Sequence, residues 1–501
     1  MRVLTPHRRA RLGLPSSGPP CTSARAGHRY ALYALDHPCP MRTSGARHGH
    51  SCEMSRRAQR IIEAAQKVPV PEGTYAVGLG LLISGLTAYA FQIIAFKALD
   101  KPAYAALNGL WIFVFVVAPG FFLPLEQEVG RAVADRRVRG IGGGPVVKKA
   151  AFAGSLLVGA LVIITLMLAA FTPLIDRLFH GRESLLVCFV IALVTYAIQH
   201  ITRGTLSGNA RFGPYGMILA AEGILRVVPV IILYAAGVDD IVWYGLALAI
   251  PPALAAVISI RGQKGLLAPG PPAQWSELST NLTLLFLGSL TAQALSYSAA
   301  LGAILLAKGP VERSEAADFI VGFFIARIPI LLFQAIQAAL LPKLAALSGA
   351  GRIDDFRAGL KKLLMIVIGV GVLGIIAGAT IGPIAGEILF GDKFNLGNVD
   401  LGLLAAGSAL FILALTLAQA LVALLGHARA LVAWCIGLFV CIVVTAFSSS
   451  DLFLRVELGF LGGCGAAAAA MALLLTGRLR AESPESLGLL VEAIEHEPLE
   501  I

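Results

Sequence analysis

Between residues 75 and 475 the chain alternates long apolar runs with short polar breaks, a new run starting about every 30 residues. The runs fall at 75–96, 104–125, 150–173, 184–206, 214–237, 241–260, 282–306, 319–341, 363–385, 402–424, 428–447 and 453–475. Each approaches or exceeds the roughly 20 residues that a helix rising about 1.5 Å per residue needs to cross the hydrocarbon of a bilayer. The pattern predicts an all-α polytopic membrane protein of about twelve transmembrane helices, although a pair of re-entrant segments would mimic two spans. An even count returns both termini to one side.

The polar breaks indicate which side. Beyond residue 70, the even-numbered connections and the C-terminus hold eighteen Lys and Arg, among them Arg136, Arg137, Lys148, Lys149, Lys361 and Lys362; the opposite loops hold eight. Basic residues collect on the cytoplasmic side, so both termini are expected there, in the cytoplasmic membrane. The Gly- and Pro-rich connection 261–281, RGQKGLLAPGPPAQWSELSTN, divides the runs six and six and has the composition of a flexible bridge. Residues 71–260 and 282–477 are then two six-helix lobes around a central cavity. FLPL at Phe122–Leu125 and LLPKL at Leu340–Leu344 end corresponding spans, either as an internal duplication or by chance.

Composition agrees, with 57% hydrophobic and 14% charged residues and a mean hydropathy of +0.79. The net charge of +10 would suggest a nucleic-acid partner if it were spread over a surface. Instead, residues 1–70 hold twelve Lys/Arg against Asp36, Glu53 and Glu63, so the charge marks a basic cytoplasmic tail of disordered composition, and no nucleic-acid partner is expected. The tail has no apolar run suited to a secretory signal. Met54 opens a second candidate start, so residues 1–53 are either tail or a start-site artefact. Residues 478–501 form an acidic cytoplasmic tail. Seven scattered cysteines without metal-ligand spacing predict free thiols, no metal and no cofactor.

Charges inside the spans are the candidate chemistry. Arg327 lies about eight residues into the eighth run, where burial in lipid would cost roughly 2.5–3.5 kcal/mol. It must face protein or a water-filled chamber. Helical spacing puts Gln334 and Gln337 on its side and leaves Phe323, Phe324, Ile328 and Leu332 for lipid. Arg327 either orients neighbouring helices through a carboxylate or carbonyl partner, or binds an anionic group such as phosphate, which a planar, permanently charged guanidinium suits. Glu222 and Arg226 stand at i, i+4 in the fifth run, as a structural ion pair or as a coupling carboxylate and a second anion ligand. Glu126 and Glu128, with Arg131 or a basic loop, are candidates for a cytoplasmic gate. Gln92, Asn108, Gln199, His200, Gln293 and Gln419 either bond neighbouring helices or line the cavity. No ATP-binding, hydrolase or metalloenzyme motif is found, so no enzyme is expected.

The runs ALDKPAYAALNGLWIFVFVVAPGFFLPLEQEVGRAVADRR (98–137), RGTLSGNARFGPYG (Arg203–Gly216) with the following EGILR, and ARIPILLFQAIQAALLPKL (326–344) resemble the polysaccharide-biosynthesis flippases of the multidrug/oligosaccharidyl-lipid/polysaccharide exporter superfamily, in their actinobacterial form. The resemblance covers residues 75 to about 475. It implies a V-shaped pair of six-helix bundles that moves polyprenyl-pyrophosphate-linked glycans across the membrane by alternating access. Related lipid II flippases carry cavity arginines in spans one, two and eight; Arg327 matches the eighth, whereas Gln92 and Asn108 stand in the first two, which argues against lipid II itself. Multidrug antiporters of the superfamily often carry a carboxylate in span one, and none is present here. The expected function is export of an anionic lipid-linked oligosaccharide for the cell envelope, with membrane lipids and a coupling proton or sodium ion as further partners. A cation-coupled drug exporter and a polytopic glycan polymerase or ligase are the alternatives.

Overall fold

The computed structural model describes residues 73–278, 282–330, 333, 353–391, 394, 396–424 and 426–481. All regular elements among them are helical. The first six runs become α1 (Thr74–Ala98), α2 (Lys101–Val138), α3 (Gly144–Phe171), α5 (Glu183–Gly208), α6 (Phe212–Ala235) and the pair α7 (Ile241–Ala249) and α8 (Pro251–Ile260); a short α4 (Leu174–Phe179) joins α3 to α5. The C-terminal half contains α9 (Leu282–Ser296), α10 (Ser298–Leu306), α11 (Gly309–Ile325), α12 (Ile353–Thr380), α13 (Gly382–Phe390), α14 (Asn398–Ala423), α15 (His427–Phe447) and α16 (Leu452–Ala481).

Among the described residues ten helices, α7 and α8 counting together as one, are long and apolar enough to cross a membrane, and eleven if the pair α9 and α10, bent by 65°, is one span. The predicted eighth span begins in α11, and its continuation through Gln334 and Gln337 lies outside the described residues, as do residues 1–72 and 482–501. The chain is therefore a multi-pass membrane protein of two helical lobes. Spans three and nine, α3 and α12, are each only 17% buried, while spans four and ten, α5 and α14, are mostly enclosed. Spans three and nine thus match in exposure, as spans four and ten nearly do.

Local sequence explains the breaks. Asp100 caps α2 by accepting the Ala103 N–H at 2.7 Å, with Pro102 in the first turn, where a missing N–H costs nothing. The helix runs on through Pro119 and Pro124 for 38 residues, about 57 Å, so its last turns project beyond the hydrocarbon and carry Arg131 and Arg136. Pro251 and Pro252 interrupt the sixth span after Ile250. Where α1 crosses α6, Gly80 meets Gly216 so closely that a Cβ on Gly80 would lie 2.3 Å from the Gly216 carbonyl oxygen. Small residues allow this approach, as is usual where membrane helices pack without hydrophobic driving force.

Two expectations are corrected. Phe323 and Phe324 do not face lipid: they are 0% and 7% exposed, Phe323 packing on Phe460 and Phe324 edge-on to Trp111 of α2. Because α11 packs against α2 alongside α9, its aromatic face turns to protein. Nor is the described part of the 261–281 connection a free bridge. Arg136, 2% exposed, donates to both carboxylate oxygens of Glu277 at 2.7 and 2.9 Å and to the carbonyls of Gly142 and Pro271. Arg131 donates to the Glu277 carbonyl at 2.6 Å, Lys149 to that of Ala273, and Gly144 N–H to that of Ala268 at 3.0 Å. Guanidinium and carbonyl groups thus fasten a segment whose composition alone reads as loose. The Arg136 hydrogen bonds hold the Glu277 carboxyl down at about 2.

Candidate substrate cavity between the lobes

A cavity of about 530 Å³ lies between the lobes, walled by α1, α2, α5 and α6 on one side and α9, α11, α14 and α15 on the other. It occupies the half of the bundle nearer the basic end, the end formed by the last turns of α2 and the first of α3 and α12. Its lining extends to Gln127 and His427 there. At the opposite end the lobes are joined: Lys101 of α2 meets Asp318 of α11 at 2.7 Å, and Phe96 of α1 meets Phe390 of α13 edge-on at 5.4 Å.

Arg327 reaches this cavity from the turn after α11. Its Nη1 donates to the Ser296 carbonyl and its Nη2 to the Ser296 hydroxyl at 2.9 Å. The guanidinium lies 4.5 Å from the Tyr297 ring and 4.9 Å from that of Phe323. Ser296 ends α9 and Tyr297 is the bend before α10, so the break in span seven supplies the carbonyl that holds the arginine. Among the described residues Arg327 has no carboxylate partner.

Arg226 occupies the facing wall in α6, 2% exposed, over Trp111 at 5.3 Å and paired with Glu222 one turn earlier. Glu222 also accepts from Tyr196 at 3.1 Å and from Gln199 at 2.7 Å, both on α5. Glu222 is thus met by three donors, one of them the Arg226 guanidinium that balances its charge, while Arg226 Nε has no partner among the described residues.

Glu126 does not turn to Arg131. It accepts from Tyr215 at 2.8 Å, contacts His200 Nδ1 at 2.7 Å and pairs with Arg203 at 3.3 Å. Glu128 pairs with Arg131 at 2.9 Å within α2, next to the linker clamp. Among the described residues these three do not form a bridge between the lobes. Of the amides and imidazole, Gln92, Gln199, His200, Gln293 and Gln419 line the cavity, whereas Asn108 is buried and bonds the Tyr104 carbonyl.

Arg203, Tyr215, Ser296 and Tyr297 were not legible as site residues. Arg203 and Tyr215 stand at the ends of the runs 184–206 and 214–237, where they read as boundaries of a polar connection, but α5 continues to Gly208 and brings Arg203 into the wall. The spacing of Tyr196, Gln199, His200 and Arg203, at i, i+3, i+4 and i+7, is the signal that places all four on one face.

No family model matches the chain. The uncharacterized protein Rv3630 of Mycobacterium tuberculosis (strain H37Rv) is 24% identical over 376 residues, 71% of this chain and 81% of the relative. The uncharacterized protein Rv1510 of the same strain is 26% identical over 392 residues, 74% and 84% of the two chains. Among solved structures, the inward-facing conformation of a multidrug resistance MATE family transporter of the MOP superfamily superposes with a TM-score of 0.62 at 15% identity, covering 83% of this chain and 96% of that one. The outward-facing conformation of a multidrug resistance MATE family transporter of the MOP superfamily gives 0.59 at 16% identity, with 82% and 96% covered. The fold is thus that of these MATE family transporters.

Proposed function

We propose that the protein is an exporter or flippase that moves an anionic polyprenyl-pyrophosphate-linked oligosaccharide across the cytoplasmic membrane for cell-envelope polysaccharide assembly. One observation carries the reading. The cavity presents the Arg327 guanidinium without a carboxylate among the described residues, while the opposite wall is internally neutralised. The excess charge favours an anionic head, and Tyr297 and Trp111 offer flat faces beside it. The lipid tail stays in the bilayer while the lobes rock about the cavity. The positive-inside bias assigns the basic end to the cytoplasm, so this conformation has its chamber on the side where the lipid-linked glycan is made.

Cation-coupled drug export is the second reading, favoured by the MATE transporters that share the fold. A cationic drug would meet Arg327 unfavourably unless Glu222 left Arg226 for it.

Reconstitution into liposomes tests the choice. A labelled polyprenyl-pyrophosphate glycan should become accessible across the membrane in an Arg327-dependent way. Unchanged movement in Arg327→Ala, or movement of cationic dyes alone, would overturn the proposal.

A further inference from the structure

One buried acid takes no part in the cavity. Glu457, in the second turn of α16, has 0% exposure, and neither carboxylate oxygen has a hydrogen-bond partner among the described residues. The other fully enclosed acids differ: Glu126, Glu128, Glu222 and Asp318 each meet an arginine or lysine. Helical spacing puts Glu457 on the face of α16 that carries Phe453, Phe460 and Cys464. Phe453 stacks on Phe319 of α11 at 5.2 Å; Phe460 meets Phe323 at 6.1 Å and fills the space at Gly407 of α14. The adjoining Val456 closes against Gly302 of α10.

Among the described residues, few groups can act on this carboxyl. Helices α9 and α10 carry no ionisable side chain, α14 carries Asp400, and α15 carries His427, Arg429, Cys435 and Cys441, of which Cys441 lies nearest the end that adjoins the start of α16. In α11, Asp318 is held by Lys101, and Glu312, Arg313 and Glu315 lie in the first turns. Along α16 itself, Arg455 points away at i−2, and Asp451 precedes the helix. Among the described residues no cation is paired with Glu457.

A carboxylate without donors, enclosed among aromatic rings, is disfavoured, whereas the neutral acid is tolerated. A metal cation needs several oxygen ligands, and no group of three acids, histidines or cysteines that would hold one occurs among the described residues. A proton needs a single carboxylate.

We propose that Glu457 is a proton-binding site of the C-terminal lobe, protonated in this conformation and exchanging its proton with water only when α11 and α16 separate. The carboxylate takes one proton from the solvent that reaches it and returns that proton when it is next hydrated. The link to export rests on the transporter reading; the protonation does not.

Infrared spectra of the full-length protein in liposomes, in H₂O and D₂O, test this directly. The wild type should show a carboxylic-acid carbonyl band at neutral pH, which Glu457→Gln removes. Glu457→Met, which fills the space without polar atoms, should fold with an equal or higher melting midpoint. Fluorophores at Val311 of α11 and Leu454 of α16, both exposed, on a background without native cysteines, should report a pH-dependent separation of these two helices that both variants abolish. A band absent from the wild type, a band retained in Glu457→Gln, or an unaltered pH dependence in the variants would overturn the proposal. Failure of the glycan assay leaves these spectra unaffected, so the two proposals fail separately.

Discussion

Replacing Glu277 with Gln keeps its size and removes its charge, leaving Arg136 buried at 2% exposure with only carbonyl oxygens for company. Breaking a buried ion pair from one side costs about 3–5 kcal/mol, because the remaining charge has lost its counter-ion. Glu277 itself is partly open, with 22% of its side chain exposed, which favours the lower part of that range. With an unfolding entropy near 2 cal/mol/K per residue, a chain of this size should lose about 3–5 °C of thermal midpoint. The measurement is the loss of the monodisperse peak on size exclusion after graded heating in detergent. Arg136→Met combined with Glu277→Leu should recover most of the loss, because an apolar pair of similar volume leaves no unpaired charge. A shift below about 1 °C in Glu277→Gln would refute the view that this pair, and not the neighbouring carbonyl contacts, fastens the linker.

The same carboxyl predicts a pH effect. Its folded value, about 2, lies below the ordinary 4.5, so its contribution is complete above about pH 4.5 and is lost as pH falls toward 2; acid-melting curves of Glu277→Gln should lack that component. Arg327→Ala should weaken binding of a pyrophosphate-headed lipid about 10- to 150-fold, the equivalent of one or two charged hydrogen bonds, with Arg327→Lys in between; calorimetric titration in nanodiscs reads both. Arg226→Met alone should destabilise by about 3–5 kcal/mol, and Glu222→Met in the same chain should restore stability; if the double variant also exports normally, the pair is purely structural. Lys101→Met removes the ion pair at the end opposite the cavity and should raise labelling of a cysteine introduced at Leu99, which is 4% exposed.

The fold was open to inspection in the sequence because lipid imposes a simple rule: runs of about 20 apolar residues with basic residues between them leave few other architectures. Site residues were legible only where a charge interrupted such a run, as at Arg226 and Arg327. Arg203 and Glu457 stand near the ends of their runs, where a charge reads as a boundary, and only helix length and packing reveal that they are enclosed. Phe323 and Phe324 show the converse, since an aromatic pair on a membrane helix carries no mark that tells a lipid face from a lobe contact. The linker escaped for another reason: its glycines and prolines fix its backbone shape, but the Arg136 that holds it lies 141 residues away from Glu277.

The bend at Tyr297 has a cost that the sequence hides. A helix interrupted there leaves the Ser296 oxygen at its end, and Arg327 takes that oxygen as its own partner. Kink and cation are thus two halves of one acceptor–donor pair: on the proposed function, an anion that drew the guanidinium away would return the oxygen to span seven, so that filling the chamber and reshaping its wall would be the same event.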